Sequence, residues 1–177
     1  MNYHNIEKDS MLNGDGLRTV LWVSGCNHHC KGCQNPVTWN PNDGLPFDDS
    51  AKQELWSYLD ADYCSGLTLS GGDPMFPDNR AEVLALVKEF RKRYGQTKTI
   101  WMYTGYQFRD ISYHPILDFI DVIVDGEYIE SQRNTQRLWC GSDNQIIYEK
   151  HEGHWTPMPK EYQKSLSDMG GECCGET

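Results

Sequence analysis

Positive charge is scarce in this sequence, with 16 Lys and Arg against 26 Asp and Glu in 177 residues, a formal net charge of −10 and a pI near 4.9. A nucleic-acid binder needs a basic face to neutralise phosphates, so the balance argues against that class. Long apolar runs are missing too. None approaches the ~18 residues of a membrane-spanning helix. The opening Met1-Asn2-Tyr3-His4-Asn5-Ile6-Glu7-Lys8-Asp9 has neither the basic nor the apolar stretch of a signal peptide. Nor is there an even set of cysteines for a disulfide framework: the seven present are odd in number and three are clustered, which suits a reducing compartment. The chain therefore reads as cytoplasmic, free of membrane and nucleic acid. Its length suits one domain, expected over 1–160, with a flexible polar tail over 161–177.

What the sequence does have is Ser24-Gly25-Cys26-Asn27-His28-His29-Cys30-Lys31-Gly32-Cys33-Gln34-Asn35, in which three cysteines fall within eight residues as C-x3-C-x2-C. A loop turning through so short a stretch can aim all three sulfurs at one centre. Three thiolates suit an iron–sulfur cube, which needs four ligands and would keep one iron open for another molecule. A structural zinc ion wants a closed set of four, and the fourth would have to come from His28, His29 or elsewhere. Spacing favours the cube and leaves zinc open. The two histidines read as loop residues that modulate the centre rather than as ligands.

Along the chain, residues 1–17 are polar and read as a lead-in, with Gly14 and Gly16 in a tight turn. The apolar run 19–23 predicts a buried strand, and further strands follow at 66–69, 99–103 and 121–124, with another possible at 145–148. Ser50 and Gln53 look like a capping box opening a helix over about 50–61. Asn79 and Glu82 look like another, opening a helix with the stripe Val83, Leu86, Val87, Phe90 and Tyr94 and ending at Gly95. A shorter helix is expected over 113–119, with Pro115 in its first turn. Strands alternating with helices predict βαβ units and a parallel sheet. The chain is too short for the ~250 residues of a closed eight-unit barrel, so an incomplete, open βα barrel is expected. Each of the four strands runs straight into an unusual loop: the cysteines, Gly71-Gly72-Asp73, Thr104-Gly105 and Asp125-Gly126. In a parallel sheet those loops share the carboxyl edge, where α/β folds carry their sites. Gly71 and Gly72 could be a plain turn, or could let backbone approach a ligand closely. Asp125 could bond a cofactor, hold a cation, or simply end its strand.

C-x3-C-x2-C resembles the cluster loop of the radical S-adenosylmethionine (radical SAM) enzymes. The stretch from Asn13-Gly14-Asp15-Gly16-Leu17-Arg18 through Trp22-Val23-Ser24-Gly25, with Ser70-Gly71-Gly72-Asp73-Pro74, Trp101 to Tyr106, Asp121 to Gly126 and Gly141 to Gln145, is similar to the activators of anaerobic ribonucleotide reductase. Many radical SAM enzymes carry an aromatic residue before the third cysteine; Gly32 stands there, as it does in the reductase activators. The resemblance implies a [4Fe–4S] cluster on Cys26, Cys30 and Cys33, with S-adenosylmethionine beside Gly32, Cys33, Gln34, Gly71, Gly72, Asp73, Thr104 and Asp125. It implies an oxidoreductase that cleaves S-adenosylmethionine reductively and leaves a glycyl radical on the large subunit of the reductase, fed by a low-potential electron donor such as a flavodoxin. The alternatives are activation of another glycyl-radical enzyme, or a zinc-binding module without catalysis.

Three of the remaining cysteines read otherwise. Cys64 is expected as a small core residue near a helix end. Cys173 and Cys174, in the tail, read as inert; a bond between such neighbours would be strained and labile. Cys140 stands where the resembled family tends to be basic.

Overall fold

In the computed structural model, residues 1–159 are described. They run β1 (Asn2–Ser10), β2 (Arg18–Val23), β3 (Leu45–Pro46), α1 (Asp49–Leu59), β4 (Gly66–Gly71), α2 (Arg80–Tyr94), β5 (Thr99–Tyr103), α3 (Phe108–Ile111), β6 (Val122–Asp125), β7 (Ile146–His151) and β8 (His154–Pro157). The expected tail over 161–177 lies outside the described residues.

All eight strands form one sheet in the order β3-β1-β2-β4-β5-β6-β7-β8. The parallel expectation holds for its centre, where β2, β4, β5 and β6 pair in parallel. It fails at both edges. β1 runs antiparallel between β2 and β3, and β7 and β8 fold back antiparallel beyond β6, so the sheet is mixed.

The supposed lead-in is largely β1. Its pairing with β2 shifts register between Tyr3 and Asn5 and again between Glu7 and Ser10. These irregularities remove the period-two alternation by which a half-buried strand is recognised, so its buried residues fall at Tyr3, Ile6 and Ser10.

The central strands are apolar on both faces because both are covered. From β5, Ile100 and Met102 pack toward the helices with Leu21, Leu67, Leu69 and Ile123. Trp101 and Tyr103 point the other way, into a smaller cluster with Val122, Val124, Cys140 and Ile147. Helix α1 contributes Ala51, Leu55, Trp56 and Leu59 to the larger core, and α2 contributes Val83, Leu86, Val87 and Phe90. Each buried Leu, Val or Phe among them stabilises the fold by roughly 1.5–3 kcal/mol.

Local signals were partly mistaken. Asp48, not Ser50, caps α1, its carboxylate accepting from the amides of Ser50 and Ala51. Asn79 precedes α2 but turns its amide away from the helix, donating to the carbonyls of Ser24 at 2.8 Å and Asp73 at 3.1 Å. The helix expected over 113–119 is a 3-10 turn, Pro115–Phe119, preceded by the single turn of α3. Only α1 and α2 are substantial helices among the described residues.

Candidate metal centre and cofactor cavity

The cysteine loop leaves β2 and is fastened before it reaches its first thiol. Ser24 donates to Asn2 O at 2.9 Å, Gly25 to Thr38 O at 2.8 Å and Cys26 to Trp39 O at 3.0 Å. On the other side the Asp73 amide donates to Gly25 O at 2.8 Å, joining this loop to the turn after β4.

The three thiols face one cavity of about 200 Å³ at the carboxyl edge of the parallel strands. Gly71, Gly72, Gln34 and Thr104 line it with them. All three cysteines are unpaired and half-buried. Each sulfur receives backbone N–H groups: Cys26 from His28 and His29, Cys30 from Tyr128, and Cys33 from Asn35 at 3.4 Å. Amides aimed at sulfur favour thiolate. Burial nevertheless lifts the Cys26 thiol to about 11 and raises that of Cys30, the amides pulling the other way. Such thiols ionise when a metal cation supplies the missing charge. Among the described residues, no three His, Cys, Asp or Glu side chains converge on a point where they could hold one metal ion. Three thiols lining one cavity fit a cluster, in which each cysteine binds a different iron.

The glycine pair has a sharper reason than a plain turn. A Cβ on Gly72 would lie 2.5 Å from Gly25 O and 2.8 Å from Thr38 O, so a bare backbone is needed for the cysteine loop itself to come close. Gly32 has a φ of +73°, a backbone conformation that side chains rarely adopt, and lies against the Glu130 side chain.

Of the sequence-derived cofactor residues, Cys33, Gln34, Gly71, Gly72 and Thr104 line the cavity; Gly32, Asp73 and Asp125 do not. Asp73 is buried, and its carboxylate accepts from Met75 N at 2.7 Å, Thr104 Oγ1 at 2.9 Å and Gly105 N at 3.0 Å, and pairs with His28 Nε2 at 2.8 Å. Asp125 is buried as well and accepts from Phe108 N at 2.7 Å and Ile146 N at 3.1 Å, joining β6 to α3 and β7. Burial raises its carboxyl above the ordinary value, with those two amides acting in the opposite sense.

A family model described as a 4Fe-4S single cluster domain matches residues 12–148, which contain all three thiols. Three similar proteins carry the name anaerobic ribonucleoside-triphosphate reductase-activating protein. One, from Enterobacteria phage T4, is 45% identical over 88% of this chain and 98% of its own length. Those from Haemophilus influenzae and Escherichia coli are 40% and 36% identical, each over 84% of this chain and at least 97% of their own. The chain belongs to the family of these activating proteins.

In this family member the cavity has further lining residues to which the cysteine and glycine motifs do not point. Asn13 and Trp22 line the cavity from the sheet side, and Tyr103 stands beside Thr104. Glu127 and Tyr128 arrive from the segment after β6. Tyr128 contributes its backbone amide to Cys30, a role no side-chain pattern could announce. Both ring nitrogens of His28 face carboxylates, and the His29 ring packs 4.9 Å from that of Trp39. The hydrogen bond to Asp73 raises the His28 imidazole above its ordinary value, burial opposing and Glu127 assisting.

Proposed function

We propose that this chain is a radical SAM oxidoreductase that activates anaerobic ribonucleotide reductase, the large subunit being its protein substrate. The observation that carries the proposal is the set of three thiols, each met by backbone amides, facing one cavity beside the bare backbone of Gly71 and Gly72. Relatives named for reductase activation, covering most of the chain, support the partner. The parallel centre of the sheet, with its loops on one rim, supports an open βα barrel of the radical SAM type.

In this reading Cys26, Cys30 and Cys33 hold a [4Fe–4S] cluster. The group's chemistry, when bound, is one-electron reductive cleavage of S-adenosylmethionine, the source of the glycyl radical left on the reductase. The chain's own residues bind and orient. Gly71 and Gly72 offer backbone groups to the methionine end of the cofactor, while Gln34 and Thr104 bound its remainder. Asp73 and Asp125 act from behind, fixing the strand ends against which the cofactor lies. The cavity wall limits water around the reacting bond. A low-potential donor such as a flavodoxin supplies the electron, in the cytoplasm.

The test is anaerobic. Reduced protein with S-adenosylmethionine and the reductase large subunit should give a persistent glycyl signal by electron paramagnetic resonance, lost when the target glycine becomes alanine. Cofactor cleavage with no radical on the reductase overturns the partner. A colourless preparation carrying stoichiometric zinc overturns the cluster.

A further inference from the structure

We propose that His28 is a positioning residue that holds the cysteine loop in register with the Gly71–Asp73 turn, an inference that rests on the function proposed above. His28 sits between two cluster cysteines in sequence, and its ring reaches every other loop of the rim. Nε2 lies 2.8 Å from Asp73 Oδ2, after β4. Nδ1 lies 3.1 Å from Glu127 Oε1, after β6. The ring packs edge-on against Tyr106 at 4.7 Å, and it fills the space beside Gly105, where a Cβ would come within 2.4 Å of it. These last two residues follow β5.

The ties differ in weight. The Asp73 side chain is 1% exposed and that of His28 only 10%, so their contact is shielded from water. Glu127 is 57% exposed, and its contact is correspondingly weak. Asp73 is in turn held by Met75, Thr104 and Gly105, so it is a fixed anchor rather than a mobile partner. With both nitrogens occupied, the imidazole holds the loop and does not bind iron. A cofactor held at once by an open iron and by the backbone of Gly71 and Gly72 needs those two sites in constant relation, and a small misplacement costs heavily. In this arrangement the buried link from His28 to Asp73 preserves that relation.

The experiment compares wild type with His28→Ala, His28→Gln and Glu127→Ala in the full chain, reconstituted anaerobically. His28→Ala should keep its iron, since all three sulfurs remain. The S-adenosylmethionine concentration needed to perturb the resonance signal of its reduced cluster should rise on the order of tenfold. His28→Gln, able to donate one hydrogen bond to Asp73, should recover most of that loss, and Glu127→Ala should lose little. In the cluster-free protein, hydrogen exchange over 103–107 and 126–130 should quicken in His28→Ala while α2 stays unchanged. Unaltered cofactor affinity and exchange in His28→Ala overturn the proposal, and so does loss of the cluster as complete as in a cysteine variant, which would make His28 a ligand. If wild type itself binds no S-adenosylmethionine, the functional reading fails, and the exchange pattern alone decides whether His28 ties the loops.

Discussion

Arg18 and Thr99, 81 positions apart in sequence, are joined twice: Nη1 donates to Thr99 Oγ1 and Nη2 to Thr99 O, both at 2.9 Å. The same guanidinium donates to Thr68 Oγ1, Leu67 O and Asp15 O and lies 5.5 Å from the Trp101 ring. It is 1% exposed, and burial lowers its pKa to about 10, so it remains a cation at neutral pH. One side chain thus ties β2, β4 and β5 together at the end away from the cysteines.

Removing that cation should be costly. Arg18→Met strands buried carbonyls and hydroxyls that have few other donors, and we expect a loss of at least about 3 kcal/mol in urea unfolding. Arg18→Lys should also destabilise, because an ammonium cannot reproduce the planar fork. A change within about 0.5 kcal/mol for the Met variant would show that the network contributes little.

Asp125→Asn leaves one oxygen to accept from Phe108 or Ile146 and turns an NH2 toward the other amide. The expected cost is ~1–3 kcal/mol in thermal or urea unfolding, with the cysteine loop still able to take up iron.

The pH dependence of Asp125 follows from the direction of its shift. Burial raises the folded carboxyl above its unfolded value, so between the two values the folded state binds more protons than the unfolded. Its contribution to stability is then fully present below the unfolded value and is lost as pH rises through the folded one. Asp125→Asn should remove that slope. The stability difference between wild type and variant should therefore widen as pH falls from 7 toward the ordinary carboxylate range, and parallel curves in pH-dependent urea unfolding would contradict the shift.

The central strands and the rim were legible because each signal is local. A continuous apolar run marks a strand covered on both faces, and an unusual loop after each run marks the edge they share. β1 was not legible, because its register shifts erase alternation in a polar stretch. β8 lay beyond any clear pattern, although Glu152 and Gly153, both at positive φ, make the tight turn that brings it back onto β7. At the site, cysteine spacing announced the thiols themselves. It could not announce their amide donors or the inward turn of Asp73 and Asp125, since a carboxylate at a strand end looks the same in sequence whether it faces a ligand or its own backbone.

Gly72 separates two roles that sequence reading could not. A glycine kept solely for cofactor approach would tolerate a small side chain as far as the cluster is concerned. In the structure an added Cβ meets Gly25 O, one residue before Cys26, and Thr38 O. Gly72→Ala should therefore lower both thermal stability and iron retention, with iron lost more readily to a chelator than in wild type. A variant with normal iron and stability, impaired solely in S-adenosylmethionine binding, would show that the cysteine loop yields at this contact.

The cysteines give the sharpest contrast. Alanine at Cys26, Cys30 or Cys33 removes one of three anchors and should abolish the intact cluster, leaving far fewer than the about four irons of a cube. Cys64 is buried in the main core, 3.6 Å from Thr19 Oγ1 and from Gly66 O, remote from the cavity lining. Cys64→Ala should cost stability through lost packing, by about 1 kcal/mol, and leave iron content near wild type. Cys140 packs with Trp101 and Val124 in the smaller core, and the same outcome is expected for Cys140→Ala. Cys173 and Cys174 lie outside the described residues; alanine at either should leave iron content unchanged. Iron and sulfide analysis of the seven single variants, prepared without oxygen, checks the whole set. If Cys64→Ala, Cys140→Ala or a tail variant lost the cluster as fully as the loop variants, the assignment of Cys26, Cys30 and Cys33 as its anchors would be wrong.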